Sequence, residues 1–153
     1  PRQRPGVTVL RDYHAENIML LCNLEKQGLL DFQDALIGHP AYDLVSLLQD
    51  ARRDVSPELE AEMIDLYWGN QPGKQDFLAD YARLGAQRNA KIVGIFVRLW
   101  KRDGKARYLS MIPRVWVQME RDLAHPAMAP VARWFDANIP ADLRAANGGD
   151  WPQ

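Results

Sequence analysis

The sequence predicts an α+β fold, mainly α-helical, with one small β-hairpin near its start. Three observations carry this. Three short apolar runs fall before residue 33, apolar residues recur at threes and fours everywhere beyond Pro40, and 47% hydrophobic residues with 5 Trp in 153 residues suffice for a buried core.

The elements follow in order. Pro1 to Gly6, with two prolines, two arginines and a glycine, reads as a linker over 1–6. Val7-Thr8-Val9-Leu10, Ile18-Met19-Leu20-Leu21 and Leu29-Leu30-Asp31-Phe32 are short strand-like runs, with turn residues from Asn23 to Gly28 between the last two. The segment 7–35 is thus a small hairpin carrying polar loops, and 40–139 is a helical subdomain. Ala41 to Ala51 places Tyr42, Leu44, Val45 and Leu48 on one side, with Pro40 suited to the helix start. Ser56-Pro57-Glu58-Leu59-Glu60 is a helix start with a capping serine and acids in the first turn, after which Leu59, Met63, Leu66 and Tyr67 line one face. A long helix runs from Gln75 to Arg102, with Phe77, Tyr81, Leu84, Ile92, Ile95 and Leu99 on its stripe, and Gly104 ends it. Tyr108, Ile112, Val115, Trp116, Met119 and Leu123 mark the next helix, with Pro113 tolerable only in a first turn or as a kink. Met128 to Asn138 is a last short helix, and 140–153 is a tail that frays at Asn147-Gly148-Gly149.

Nineteen Lys plus Arg against twenty Asp plus Glu leave a net charge of −1. That excludes a basic footprint for nucleic acid and a polybasic surface for an anionic membrane, so a small partner fits better. One cysteine, Cys22, rules out an internal disulfide and a multi-thiolate zinc site. Without an export signal or an apolar run of membrane-spanning length, the cytoplasm is the expected location.

Chemistry concentrates in Leu10-Arg11-Asp12-Tyr13-His14-Ala15-Glu16-Asn17 and Leu29-Leu30-Asp31-Phe32-Gln33-Asp34. Folded as a hairpin, these loops bring Asp12, Asn17 and Asp31 to one end. Two carboxylates and a carboxamide in one place need a counter-charge, and a hard divalent cation such as Mg²⁺ takes a few oxygen ligands and is completed by substrate phosphates. A carboxylate left off the metal could act as general base. Asp34 either lines this site or is simply solvated. His14 and His39 together with Asp12, Asp31 and Asp34 also admit a rival reading as a metal-dependent phosphohydrolase, with His125 more naturally a helix C-terminal residue on the local dipole. Arg88, near the apolar face of the long helix, either pairs with a core carboxylate such as Asp43 or reaches an acceptor pocket. Trp68, Trp100, Trp116 and Trp134 lie on helical stripes and read as core. Lys91, Arg98, Lys101, Arg102, Lys105 and Arg107 read as a solvated helix face.

Asp12-x-His14-x-x-Asn17, Leu30-Asp31-Phe32 and Gly38-His39-Pro40-Ala41-Tyr42-Asp43-Leu44 resemble the aminoglycoside phosphotransferase and choline kinase-like small-molecule kinases, whose C-terminal lobe the chain is similar to over nearly its whole length. Residues 29–35, the run from Arg88 to Leu99, and Ile112-Pro113-Arg114-Val115-Trp116 look most like the bacterial kinases that phosphorylate the anomeric hydroxyl of N-acetylmuramate and N-acetylglucosamine. The resemblance implies a protein-kinase-like C-lobe over 1–153 and transfer of a phosphoryl group from ATP, with Mg²⁺, to an amino sugar in cell-wall sugar recycling. It implies Asp12 as catalytic base, Asn17 and Asp31 as magnesium ligands, and His14 and Asp43 as residues that brace the catalytic loop. Asp34, Arg88, Asn89 and Trp116 are candidates for contact with the sugar.

The sequence departs from that pattern in places. Leu10 stands where the family carries a histidine two residues before the catalytic aspartate, and Gln33 stands where protein kinases place a glycine. About a dozen residues separate Asp31 from Asp43, too few for a phosphorylatable activation segment, which favours a small-molecule acceptor. The Gly-rich phosphate loop and strand lysine of a nucleotide-binding N-lobe find no match, since glycines 69, 73, 85 and 94 are scattered along helices and Lys26 sits in a turn. The expectation is therefore a C-lobe without its N-lobe, a fragment, cleavage product or part of a longer protein, inactive by itself. Alternatives are an aminoglycoside or other small-molecule acceptor, or a non-catalytic kinase-like module.

Overall fold

The computed structural model describes residues 6–22, 26–140 and 142–143. The predicted linker, the centre of the Asn23–Gly28 turn and the predicted frayed tail fall largely or wholly outside those residues. The chain divides into two compact units, Pro1–Asp50 with Val55–Gln71, and Ala51–Asp54 with Pro72–Gln153. Helices dominate, and the strands are short and antiparallel.

The first unit carries all four strands. β1 (Val7–Val9) pairs antiparallel with β4 (Leu36–Gly38), Val9 opposite Leu36; β2 (Ile18–Leu20) pairs antiparallel with β3 (Gln27–Leu29), Ile18 opposite Leu29. The expected single hairpin is thus two separate two-stranded ladders. β4 was not foreseen, because Leu36-Ile37-Gly38 is too short to show a period. The third predicted run shifts back to Gln27–Leu29, since Asp31 takes φ 57° and cannot continue an extended strand. Val9 is buried in this unit, whereas the β2 and β3 side chains are mostly exposed.

Two helices complete the unit. α1 (Ala41–Leu48) starts at Pro40 and stops three residues earlier than expected, where Gln49 leaves helical geometry at ψ 42°. α2 (Pro57–Trp68) begins as predicted, Ser56 Oγ accepting the Leu59 N–H at 3.2 Å with Pro57 in the first turn, whose missing N–H costs nothing there. Its buried side is not the predicted one. Glu60, Ile64 and Trp68 face inward at i, i+4, i+8, while Leu59, Leu66 and Tyr67 are exposed, Leu66 at 75%. The buried Glu60 is accommodated because Gln49 Nε2 donates to its Oε1 at 2.9 Å, satisfying a carboxylate that would otherwise be costly to bury.

The second unit is an all-helical layer. α3 (Lys74–Asp103) ends at Gly104, whose φ of 67° lets its N–H reach back to the Trp100 carbonyl. The predicted helix from Tyr108 resolves into a 3-10 segment, Ala106–Met111, followed by α4 (Ile112–Leu123), with Pro113 in the first turn. α5 spans Ala129–Asn138. Phe96, Leu109, Ile112 and Val115 form one buried cluster with Ala51; Ala82, Ala86, Trp116, Met119, Leu123 and Met128 form a second. α3 and α4 are also pinned by polar groups. Asn89 Nδ2 donates to Asp122 Oδ2 at 3.1 Å, and a Cβ on Gly85 would overlap the same carboxylate, so glycine there makes room for it. Arg114 on α4 donates to both Asp54 carboxylate oxygens at 2.6 and 3.0 Å and to the Ala51 carbonyl at 2.8 Å, fastening the segment 51–54. The Arg114 guanidinium holds the Asp54 carboxyl below the usual range, first through the hydrogen bonds and then through its charge.

Of the tryptophans expected in the core, Trp68 and Trp116 are buried and Trp100 is half-buried, but Trp134 is exposed on α5, edge-on to Phe135. His125 follows α4 but serves the next turn. Its Nδ1 accepts the Ala127 N–H at 3.1 Å, which makes it the cap of the turn Pro126–Met128. Among the described residues, no helix is long and apolar enough to cross a membrane.

Candidate active site

The loop between β1 and β2 is folded on itself by backbone hydrogen bonds. Asp12 N–H donates to the Leu10 carbonyl and His14 N–H to the Asp12 carbonyl, both at 3.0 Å, and Asn17 N–H donates to the His14 carbonyl at 2.9 Å in the 3-10 turn Ala15–Asn17. Arg11 is turned into the left-handed region at φ 73°, a conformation that costs a non-glycine residue on the order of 1 kcal/mol and so needs outside support.

Asp43, in the first turn of α1, supplies that support. Its Oδ2 accepts the Leu10 N–H at 2.7 Å and its Oδ1 accepts the Arg11 N–H at 3.0 Å. A carboxylate taking two successive backbone donors is a charge-assisted clamp on the turn immediately before Asp12. Tyr67 of α2 donates its hydroxyl to the Pro40 carbonyl at 3.2 Å, and its phenol is pushed up first by burial and then by the negative charge of Asp43. His39 Nδ1 accepts the Ala41 N–H at 3.2 Å and so serves the start of α1.

Asn17 connects the two polar loops. Its Nδ2 donates to the Asp12 carbonyl at 2.9 Å, and its own carbonyl accepts the Leu30 N–H at 2.9 Å, extending the β2–β3 ladder by one step to the residue before Asp31. The backbone therefore brings Asp12, Asn17 and Asp31 to neighbouring positions at one end of that ladder. Asp12 is exposed, and among the described residues its carboxylate takes no hydrogen bond or ion pair. Asp31 is also exposed, with φ 57°, and Gln33 Nε2 donates to its Oδ1. Asp34 is exposed in the same turn. His14 contributes to the loop through its backbone, while its ring Nδ1 is buried with no hydrogen-bond partner among the described residues.

The remaining sequence candidates lie in the second unit. Arg88 is half-buried on α3. Asn89 is 0% exposed and committed to Asp122, and Trp116 is buried, edge-on to Phe135 at 6.3 Å between ring centres. From the sequence, Gln33 counts only as a departure from a glycine, Tyr67 only as part of a helix face and Arg11 only as a member of the polar cluster. The left-handed backbone at Arg11 has no signature in an Arg-Asp pair.

The donor set suits a small hard cation. With Nδ2 of Asn17 engaged, its Oδ1 remains as an oxygen donor, and Asp31 keeps one oxygen clear of Gln33. Among the described residues no group of three His, Cys, Asp or Glu side chains could hold a metal. The fit is to an ion that takes few protein oxygens and fills its shell with water and phosphate, as Mg²⁺ does.

A braced loop, an unengaged carboxylate and a carboxamide–carboxylate pair thus lie together at one end of the β2–β3 ladder. A model of the phosphotransferase enzyme family, APH, matches residues 1–86, and the chain belongs to that family. Among relatives, it is 49% identical over 139 residues to a protein of Caulobacter vibrioides named N-acetylmuramate/N-acetylglucosamine kinase, covering 88% of this chain and 38% of that one. Proteins of the same name from Pseudomonas aeruginosa and Neisseria meningitidis are 35% and 40% identical, covering 94% and 72% of this chain and 44% and 35% of theirs. The chain thus spans about two fifths of the length of the curated relatives it matches.

Proposed function

We propose that this chain carries the acceptor- and metal-side chemistry of an ATP- and magnesium-dependent kinase whose acceptor is the anomeric hydroxyl of N-acetylmuramate or N-acetylglucosamine. The observation that carries the reading is the Asp43 clamp on Leu10 and Arg11, which rigidifies a strained turn and leaves the next side chain, Asp12, unengaged in solvent. Strain maintained beside an uncommitted carboxylate is characteristic of a reacting site. The names of the relatives support the choice of acceptor.

Asp12 accepts the proton of the acceptor hydroxyl as that oxygen bonds to the γ-phosphorus and the bond to ADP breaks, a general-base contribution on the order of 10²–10⁴ in rate. Asn17, through Oδ1, and Asp31 hold the cation, which when bound neutralises charge on the phosphates. Asp43 and the backbone of His14 hold the turn that carries Asp12, so little reorganisation is needed at the moment of transfer. Asp34, exposed in the turn after β3, is a proposed contributor to the sugar side, whereas Asn89, bonded to Asp122, and Trp116, packed against Phe135, are buried in the second unit and are assigned a structural part there.

The test is ATP consumption by the intact protein with each amino sugar, compared with its Asp12→Ala variant. Turnover should fall by about 10²–10⁴-fold with an unchanged circular dichroism spectrum and melting curve. Undiminished turnover in the variant would remove Asp12 from the mechanism. Turnover with an aminoglycoside but neither amino sugar would move the acceptor within the family.

A further inference from the structure

The exposed face of α3 carries a concentration of charge and a gap that folding does not explain. Lys91, Gly94, Arg98, Lys101 and Arg102 recur at threes and fours and are all exposed, and Lys105 and Arg107 follow directly after the helix. From Arg98 to Arg107 there are five cations and one acid, Asp103, which is already bonded to Arg102 at 2.6 and 2.9 Å. Arg52 adds to this surface: the Tyr108 phenol is held below its ordinary range first by the hydrogen bond from Arg107 and then, against burial, by the charges of Arg107, Lys105 and Arg52. Gly94 lies inside the helix, where glycine is the least favourable residue after proline, and a Cβ there would meet nothing within 4 Å. No neighbour within the fold needs that space, so the flat spot between Lys91 and Arg98 suits the close approach of another surface.

α2 presents a complementary face. It holds four acids and no cation, and Glu58, Leu59, Glu62, Asp65 and Leu66 lie exposed along one side. The acids Glu58, Glu62 and Asp65 repeat the spacing of Arg98, Arg102 and Lys105, and Leu66 beside them is 75% exposed. We propose that α2 of one copy of the chain docks on the exposed face of α3 of a second copy, with Leu66 over Gly94 and the acids among the cations. A second copy is favoured over an unrelated acidic partner because α2 supplies both the charge and the apolar side chains at the required spacing. Exposed ion pairs contribute little one at a time, so the contact is reversible and sensitive to salt. It is independent of the kinase reading.

The experiment is sedimentation velocity of the intact protein over a concentration series, at low salt and at about 1 M salt, where charges are screened within about 3 Å. The variants are Arg98→Glu, Glu62→Lys, the two together, and Gly94→Gln. Glu62 and Arg98 are exposed and make no hydrogen bond or ion pair among the described residues, so reversing either should leave the melting curve unchanged. Arg98→Gln and Glu62→Gln, which only remove charge, replace any reversal that melts lower. The expected result is self-association of wild type that salt weakens, about tenfold weaker association in each single reversal, and recovery in the double variant, where the charges are opposite again. Gly94→Gln keeps every charge and suits a helix better, so it should melt no lower than wild type yet associate about tenfold more weakly. A wild type that stays monomeric, or single reversals that associate as wild type does, overturns the proposal. So does a double variant no better than the singles, since the two faces then do not meet. Wild-type association in Gly94→Gln takes the contact off Gly94 and overturns it as stated. Binding of an oligoglutamate peptide by a wild type that stays monomeric assigns the face to a different acidic partner and overturns the second copy.

Discussion

Replacing Asp43 with alanine should release the loop between β1 and β2 without dismantling the helices around it. The carboxylate accepts two N–H groups, a partly buried one from Leu10 at 2.7 Å and an exposed one from Arg11 at 3.0 Å. A hydrogen bond to a charged acceptor contributes about 1.5–3 kcal/mol where water is partly excluded, and about 0.5–1 kcal/mol is appropriate for the solvated partner. Together these amount to about 2–4 kcal/mol, and the left-handed backbone of Arg11 adds a tendency to spring open once the clamp is gone. At 1.4 kcal/mol per factor of ten, the opening equilibrium of the loop shifts by about 30- to 700-fold. Amide hydrogen exchange reads this directly: the Leu10 and Arg11 N–H groups of Asp43→Ala should lose protection by that factor, while amides in α2 such as that of Ile64 keep theirs. Asp43→Asn should lie between, since one oxygen can still accept while the amide nitrogen confronts the other N–H. Unchanged protection at Leu10 and Arg11 in the alanine variant would refute the clamp.

Two further predictions concern the helices. Gly85→Ala forces a methyl into the space of the Asp122 carboxylate and disturbs its bond with the fully buried Asn89, so urea denaturation should show a loss of about 2–4 kcal/mol; a neutral variant would mean that the two helices separate without penalty. On α2, Ile64→Ala should cost about 2–4 kcal/mol and Leu66→Ala less than about 0.5 kcal/mol, because the first is buried and the second is not; the reverse order would reinstate the stripe through Leu59, Met63 and Leu66 as the buried face.

What could be read in the chain was what neighbours decide. Ser56-Pro57 starts α2 and Gly104 ends α3 because caps are satisfied within a few residues, and Pro113 falls in a first turn because nowhere else in a straight helix would tolerate it. The candidate site was legible for the same reason: Asp12, Asn17 and Asp31 carry their chemistry in their side chains, and their short separations leave few ways for them to be apart.

Other features needed partners far along the chain. A three-residue strand has no period from which to choose a neighbour, so the pairing of Val7–Val9 with Leu36–Gly38 follows from unsatisfied backbone donors meeting in space. The stripe on α2 is apolar on the side that stays wet, because Gln49 offers Glu60 a buried hydrogen bond and thereby turns the row Glu60, Ile64, Trp68 inward. Asn89 became a structural partner of Asp122 only where Gly85 left room for the carboxylate. By itself the sequence determined which residues are candidates for chemistry and the helix ends that local caps set, at Ser56-Pro57 and Gly104, since those depend on contacts a few residues long. Tertiary structure decided which face is buried, which strands pair and how the loop that carries Asp12 is held, since these depend on hydrogen-bond partners about ten to thirty-three residues away, which no local pattern encodes.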